Sequence, residues 1–282
     1  MKNLLVFASP AAAGVLDEPD HLVRATVLFV AFCLAASGAY CLNDAADVEA
    51  DRRHPLKQRR PVAAGAVAPG SAALLGAGLL VAGLGAAGLT GAWEAVVVLG
   101  LYVALQPLYT YWLKHVAVVD LVVVASGFVL RAVIGVVGSD VPVSEWYLIV
   151  ASFGSLFLVA GKRTAELRMG DDAGAHRRSL EVYTPMFLLL VRGVALSITL
   201  VAYCLWAFEK AALVEDAFPW FQLSIVPFTT LLLRYALAHE SSELAGPEDI
   251  VLGDRQLQVI GLVWGLCLAA GVYVAGAPPL TG

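Results

Sequence analysis

Eight long apolar windows run along the chain, near residues 22–42, 70–90, 93–113, 116–137, 145–161, 184–207, 221–238 and 256–276. Each is close to the ~20 residues that a helix needs to cross a bilayer. A ninth stretch, 3–16, is shorter and is split by Pro10, which predicts a truncated or half-inserted first helix. With Lys2, a short apolar run and alanines at 11–13, it also has the outline of a secretory leader, so two readings of it stand. The pattern predicts an all-α, polytopic integral membrane protein, a bundle of about nine transmembrane helices. Residues 1–282 are expected to form one membrane-embedded domain, with no soluble domain and no internal repeat.

Composition agrees. Of the 282 residues 60% are hydrophobic and 15% charged, whereas about a quarter of a soluble domain is charged. Mean hydropathy is +0.79. Cys33, Cys41, Cys204 and Cys267 stand singly in apolar runs, a spacing that fits packing and neither a metal site nor a disulfide framework.

Charge distribution sets the expected orientation. Placing the 43–69 loop in the cytoplasm puts Lys2, Lys114 and the loops 162–183 and 239–255 there too and, with Arg234 near the end of its span, gathers 14 of the 18 Lys and Arg on that side. Asp17-Glu18-Pro19-Asp20, the stretch from Asp140 to Glu145, and Glu215-Asp216 then face outward. A plasma-membrane protein whose polar site opens to the cytoplasm is expected.

Residues 43–61 carry the strongest chemical signal. On a helix, Asp47 and Asp51 lie within roughly 60° and 20° of Asp44, while Glu49 points elsewhere. Three like charges on one stripe repel each other and call for a cation. Oxygen ligands at this spacing suit Mg²⁺, which takes one or two carboxylates and completes its shell with water and phosphate oxygens. Asn43 stands beside them. His54, Lys57, Arg59 and Arg60 follow, between Pro55 and Pro61, which are expected to hold an exposed loop. Lys57 and Arg60 are candidate phosphate contacts.

Two further polar groups face the same side. Lys114-His115 precede Asp120, and Arg131 lies deeper on the face of Gly127; an isolated charge there costs a few kcal/mol, so each is expected to face the bundle interior, a wet cavity or an interhelical ion pair. Gly161-Lys162-Arg163 and Glu166 emerge at a span end, followed by Asp171-Asp172, His176-Arg177-Arg178 and Tyr183. Bases placed there suit a headgroup phosphate or serve as topology signals. A weaker fourth group, Arg234 with Glu248-Asp249 and Asp254, is expected to close the cavity. The chain has no Gly-rich phosphate loop, no His-Glu-x-x-His and no Gly-x-Ser-x-Gly. No nucleic-acid partner is indicated, and self-association is left open.

Asn43-Asp44-x-x-Asp47-x-x-x-Asp51 after an apolar helix, with Arg60-Pro61 downstream and about nine spans, resembles the UbiA-type intramembrane prenyltransferase superfamily. The resemblance implies an all-helical, Mg²⁺-dependent enzyme with two Asp-rich loops around a prenyl diphosphate. This chain departs from that pattern at the second loop, which reads Lys162-Arg163-x-x-Glu166. In that respect it is similar to the decaprenyl-phosphate phosphoribosyltransferase branch, as it is at Tyr40-x-x-Asn43-Asp44, Ser126-Gly127-Phe128, Gly154-Ser155-Leu156-Phe157 and Arg234-Tyr235-Ala236. Members of the branch carry a basic, Trp-containing segment before the positions of Lys2 and Asn3, which is a second reason to expect a shortened first helix.

The branch implies transfer of 5-phosphoribosyl from 5-phosphoribosyl-1-diphosphate (PRPP) to a polyprenyl phosphate lipid, feeding cell-wall arabinan synthesis. On that reading Asp44, Asp47 and Asp51 hold Mg²⁺ on the diphosphate with Asn43 assisting. Lys162 and Arg163 hold the acceptor phosphate or 5-phosphate, Lys57, Arg60 and Lys114 are further anion contacts, and Glu166 belongs to the same site. The alternatives are prenyl transfer to an aromatic or small acceptor and, from another class, a membrane transporter.

Overall fold

A computed structural model describes residues 2–53, 57–140, 144–168, 178–214, 218–241 and 247–274. Among them every regular element is helical. Eight helices are long and apolar enough to cross a membrane, with mean hydropathy of 1.2 to 2.3 over their best windows. They are α2 (Pro19–Ala46), α4 (Pro69–Gly88), α5 (Trp93–Tyr111), α6 (Val119–Ser139), α7 (Glu145–Arg168), α9 (Pro185–Ala212), α10 (Trp220–Ser241) and α12 (Arg255–Ala269), the last continued by a π turn, Ala270–Val274. Short helices α1 (Ala8–Ala13), α3 (Val48–Arg53), α8 (Arg178–Val182) and α11 (Pro247–Gly253) lie between or before them.

The ninth segment is half-length. A 3-10 turn, Lys2–Phe7, leads into α1, which stops at Gly14 in the left-handed conformation. Lys2 lines the cavity described below, and its neighbour Asn3 accepts a hydrogen bond from Arg131 in the middle of α6.

Two spans run further than their apolar windows. Helix α2 continues through Asn43 and Asp44, so these polar residues sit on the last turn of a membrane helix. Helix α7 continues to Arg168, so Lys162, Arg163 and Glu166 are helical and not part of a loop. Both extensions are possible because Ala, Leu, Glu, Lys and Arg are good helix formers once outside the hydrocarbon.

Packing is densest where small residues allow helices to meet. Helices α2 and α4 approach at Gly38 and Gly76, where a Cβ on either glycine would lie 2.7 or 2.9 Å from the other's carbonyl oxygen. One apolar core joins α2, α4, α5 and α6 through Leu28, Phe32, Leu99, Tyr102 and Ile134. Another joins the later helices through Tyr203, Trp206, Phe221 and Phe228. Leu121, Val159 and Leu188 fasten α6 to α7 and α9 between them. A testable consequence is that Gly76→Ala destabilises the detergent-solubilised protein by about 1–3 kcal/mol, as overpacking of a tight contact does. Gly78→Ala, two residues on and facing open space, should leave the melting temperature unchanged or raised. Equal melting temperatures for the two variants would contradict the close approach.

Candidate active site

The acidic stripe forms at a bend. Helix α2 ends at Ala46, Asp47 caps it by donating its N–H to the Asn43 carbonyl (2.8 Å), and α3 resumes at Val48 with the Asp51 N–H on the Asp47 carbonyl (2.8 Å). The stripe therefore bends at Asp47, although Asp44 and Asp51 still share a face. The turn Lys57–Arg59 folds back over them, held by Arg52, whose Nε donates to the Ala63 carbonyl (3.2 Å). This brings Arg60 Nη1 to 2.8 Å from Asp44 Oδ1 and 2.9 Å from Asp51 Oδ2. Asp47 faces Lys114 instead, with Nζ 3.4 Å from Oδ1. The Thr110 hydroxyl donates to the Asn43 side-chain oxygen, tying α5 to α2 at the same level. His54 and Pro55 lie outside the described residues.

A second cluster closes the opposite wall. Asp120, fully buried in the first turn of α6, accepts from Arg163 Nε at 2.8 Å and from the Tyr183 hydroxyl. Arg163 also donates to Glu166 (2.7 Å) and to the Tyr109 hydroxyl (3.1 Å). Of the options for Asp120, the interhelical ion pair is realised, and the guanidinium of Arg163 is engaged by the protein itself. Burial, and then the bond to Asp120, pushes the Tyr183 phenol above its usual pKa, so it stays protonated as the donor. The same hydroxyl accepts from the Val118 N–H (2.7 Å), at a residue held at φ +68°, and Ser179 donates to the Lys114 carbonyl (2.9 Å). Through these bonds α8 and Tyr183 position the turn that carries Lys114.

Between the two clusters lies a cavity of about 580 Å³. Asn43, Asp44, Asp47, Asp51, Lys57, Arg60, Lys114, Lys162, Arg163 and Glu166 all line it, so every sequence-predicted site residue falls in one place. Leu105, Val123, Phe128 and Leu158 add an apolar part to its lining. Sequence reasoning missed Tyr102, Gln106, Tyr109 and Thr110, which also line it. Their spacing of four, three and one along α5 marks one helical face, a signal present in the sequence.

The remaining polar groups lie elsewhere. Arg234 pairs with Asp254 at 2.7 Å, and Asp254 caps α12 by accepting from Gln256 and Leu257. Neither lines the cavity, so the expectation that this group closes it is corrected. Arg168 and Arg192 converge on Glu240, joining α7, α9 and α10. Asp171, Asp172, His176 and Arg177 lie outside the described residues, as does the side chain of Glu248.

The acidic end has the donor chemistry of a divalent-cation site. Three carboxylates and an amide oxygen are hard ligands, and their negative charge already draws two cationic side chains, Arg60 and Lys114. Among the described residues no three acidic, His or Cys side chains converge as a ready-made cage. The hard oxygen donors by themselves suit Mg²⁺, which binds through one or two carboxylates plus substrate phosphates.

The sequence and the fold both match known proteins. Residues 4–249 match the UbiA prenyltransferase family. The chain belongs to that family. A decaprenyl-phosphate phosphoribosyltransferase of Mycolicibacterium smegmatis is 43% identical over 285 residues, covering 97% of this chain and 89% of that protein. The Corynebacterium glutamicum protein of the same name is 41% identical over 278 residues, covering 97% and 84%. A UbiA homolog from Archaeoglobus fulgidus, solved with GPP and Mg²⁺, shares the fold with a TM-score of 0.71 at 17% identity, covering 98% of this chain and 100% of that one. Within this UbiA fold, the α7 side of the cavity carries Lys162, Arg163 and Glu166, where a second Asp-rich motif was the family expectation.

Proposed function

We propose that this UbiA-family membrane transferase moves a 5-phosphoribosyl group from PRPP to the phosphate of a polyprenyl phosphate, releasing pyrophosphate. The observation that carries the reading is the mixed charge of one cavity, in which the carboxylates Asp44, Asp47 and Asp51 lie among the bases Lys57, Arg60, Lys114 and Lys162. A prenyl diphosphate meeting a neutral acceptor presents one diphosphate. PRPP meeting a lipid phosphate presents a diphosphate, a 5-phosphate and an acceptor phosphate, and needs bases around the rest of the site. The relatives named above support the same reading.

In this mechanism Asp44, Asp47 and Asp51, with Asn43, would hold Mg²⁺ against the donor diphosphate. A cation held there would supply Lewis-acid stabilisation of the charge that builds on the departing pyrophosphate. Arg60 and Lys57 then turn from neighbouring groups toward phosphate oxygens, for which a guanidinium fork is well shaped. Lys114 and Lys162, which both line the cavity, hold the remaining phosphate charge. The acceptor phosphate is ionised near neutral pH, so attack on the ribose C1 requires no general base. As the C1–O bond to diphosphate breaks, the sugar gains oxocarbenium character, as in other glycosyl transfers. Rate enhancement comes from placing two anions in contact and compensating their charge. The site is read as opening to the cytoplasm at the plasma membrane, where a soluble donor and a lipid acceptor both have access.

The test is pyrophosphate release by the purified protein in detergent. Release is expected with PRPP and decaprenyl phosphate together and not with either alone. Release from geranylgeranyl diphosphate and an aromatic acceptor, with none from PRPP, would return the prenyl-transfer reading. No release from either pair, by folded protein, would leave the transporter.

A further inference from the structure

Arg131 is the one charge in α6 that the ion-pair network above does not use. It stands eleven residues beyond Asp120, about 16 Å further into the membrane at the helical rise. It is 7% exposed and lines the inner part of the cavity. Its Nε donates to Asn3 Oδ1 (2.8 Å), Nη1 to the Gly127 carbonyl (2.5 Å) and Nη2 to the Tyr102 hydroxyl (3.3 Å). The guanidinium lies over three rings, 4.7 Å from the centroid of Phe32, 5.0 Å from Tyr102 and 5.8 Å from Phe128. These hydrogen-bond partners and rings are all neutral. Among the described residues no carboxylate pairs with it, in contrast to Arg60, Arg163, Arg168, Arg192 and Arg234.

A buried cation without a counter-ion costs several kcal/mol, and at mid-bilayer depth such a charge marks a substrate path. Rings and carbonyls orient the fork and offset part of that cost. They occupy one N–H on each of the three nitrogens, which leaves two of the five guanidinium N–H groups for a ligand. Two free N–H groups on neighbouring nitrogens match two oxygens of one phosphate. Lys2, on the same wall, adds positive charge.

We infer that Arg131 is a phosphate-binding residue at the inner end of the cavity, holding a phosphate of the substrate pair other than the donor diphosphate. The inference rests on the phosphoribosyl-transfer reading for its substrates, but not for its chemistry. The level of Asn43 and Thr110 lies two helical turns, about 12 Å along α5, from Tyr102 and Arg131, a gap that a pentose bearing a phosphate at each end spans. Either the 5-phosphate of the donor or the phosphate of the lipid presents the same dianion to the fork.

Arg131→Met removes the charge at similar volume, and Arg131→Lys keeps the charge but loses the fork. The first measurement is thermal stabilisation of the full chain by inorganic phosphate, which requires no turnover. The concentration giving half of the shift should rise about 10- to 100-fold in Arg131→Met, the range of a charge-assisted hydrogen bond to phosphate, and by less in Arg131→Lys. The second is steady-state kinetics with each substrate varied. A higher KM for PRPP, with the wild-type advantage lost on a donor lacking the 5-phosphate, assigns the donor phosphate. A higher KM for decaprenyl phosphate, with that for PRPP unchanged, assigns the lipid. If Arg131→Met does not fold, Arg131→Lys carries both measurements. Wild-type phosphate response and wild-type KM values in a folded variant would overturn the inference. An Arg131-dependent phosphate response from a wild-type protein that makes no phosphoribosyl lipid would overturn only the transfer reading.

Discussion

Asp47→Asn is expected to lower turnover at saturating substrate by at least about 100-fold, the scale on which one electrostatic contact to developing charge acts, while the protein stays folded. Asp47 is the least structural of the three aspartates. Its side chain is 39% exposed and its ion-pair contact is Lys114 at 3.4 Å, a type of pair worth up to about 1 kcal/mol. Asp51 is different, with a side chain 3% exposed and bonded to Arg60, so Asp51→Asn should lose stability together with activity. The check is initial rate across a Mg²⁺ titration, with thermal denaturation of each variant alongside. Wild-type rates in Asp47→Asn would remove the metal role from the stripe.

The second large effect is on stability. Arg163→Met leaves the Asp120 carboxylate fully buried and without its cation, and breaking one side of such a pair costs about 3–5 kcal/mol. A sharp fall in melting temperature is expected. Because the penalty is that of an orphaned charge, the double variant Asp120→Asn with Arg163→Met should recover part of the loss. If Arg163→Met melts with the wild type and instead raises KM for PRPP or the lipid, Arg163 is a direct ligand and the ion pair is incidental.

These two residues also mark how far the sequence could be read. The membrane helices were legible because a 20-residue apolar run has few other uses, and the acidic stripe because three aspartates at helical spacing stand out beside it. Period alone placed Asp44 and Asp51 on one face, which the shared contact with Arg60 bears out. It left the bend at Asp47 unread, since a one-residue interruption between two helices leaves no mark in residue type. Lys162 and Arg163 look alike in sequence as adjacent bases at a span end. Only the packing of α6 against α7 brings Asp120 to Arg163 and makes one of the two a wall element. Tyr102, Gln106, Tyr109 and Thr110 could have been found, but their polarity is diluted by the apolar residues between them. Contacts across long separations, such as Asn3 with Arg131 or Tyr183 with Val118, depend on tertiary packing and have no local signature.

The most direct test of the central claim is product identity. Purified protein in detergent is incubated with PRPP labelled in the ribose and with decaprenyl phosphate, with and without Mg²⁺, and label is counted in the organic phase. Mg²⁺-dependent label in the lipid, released as ribose phosphate on mild acid treatment, is the predicted result. An unlabelled organic phase, from folded protein that transfers a prenyl chain from a prenyl diphosphate under the same conditions, would contradict it.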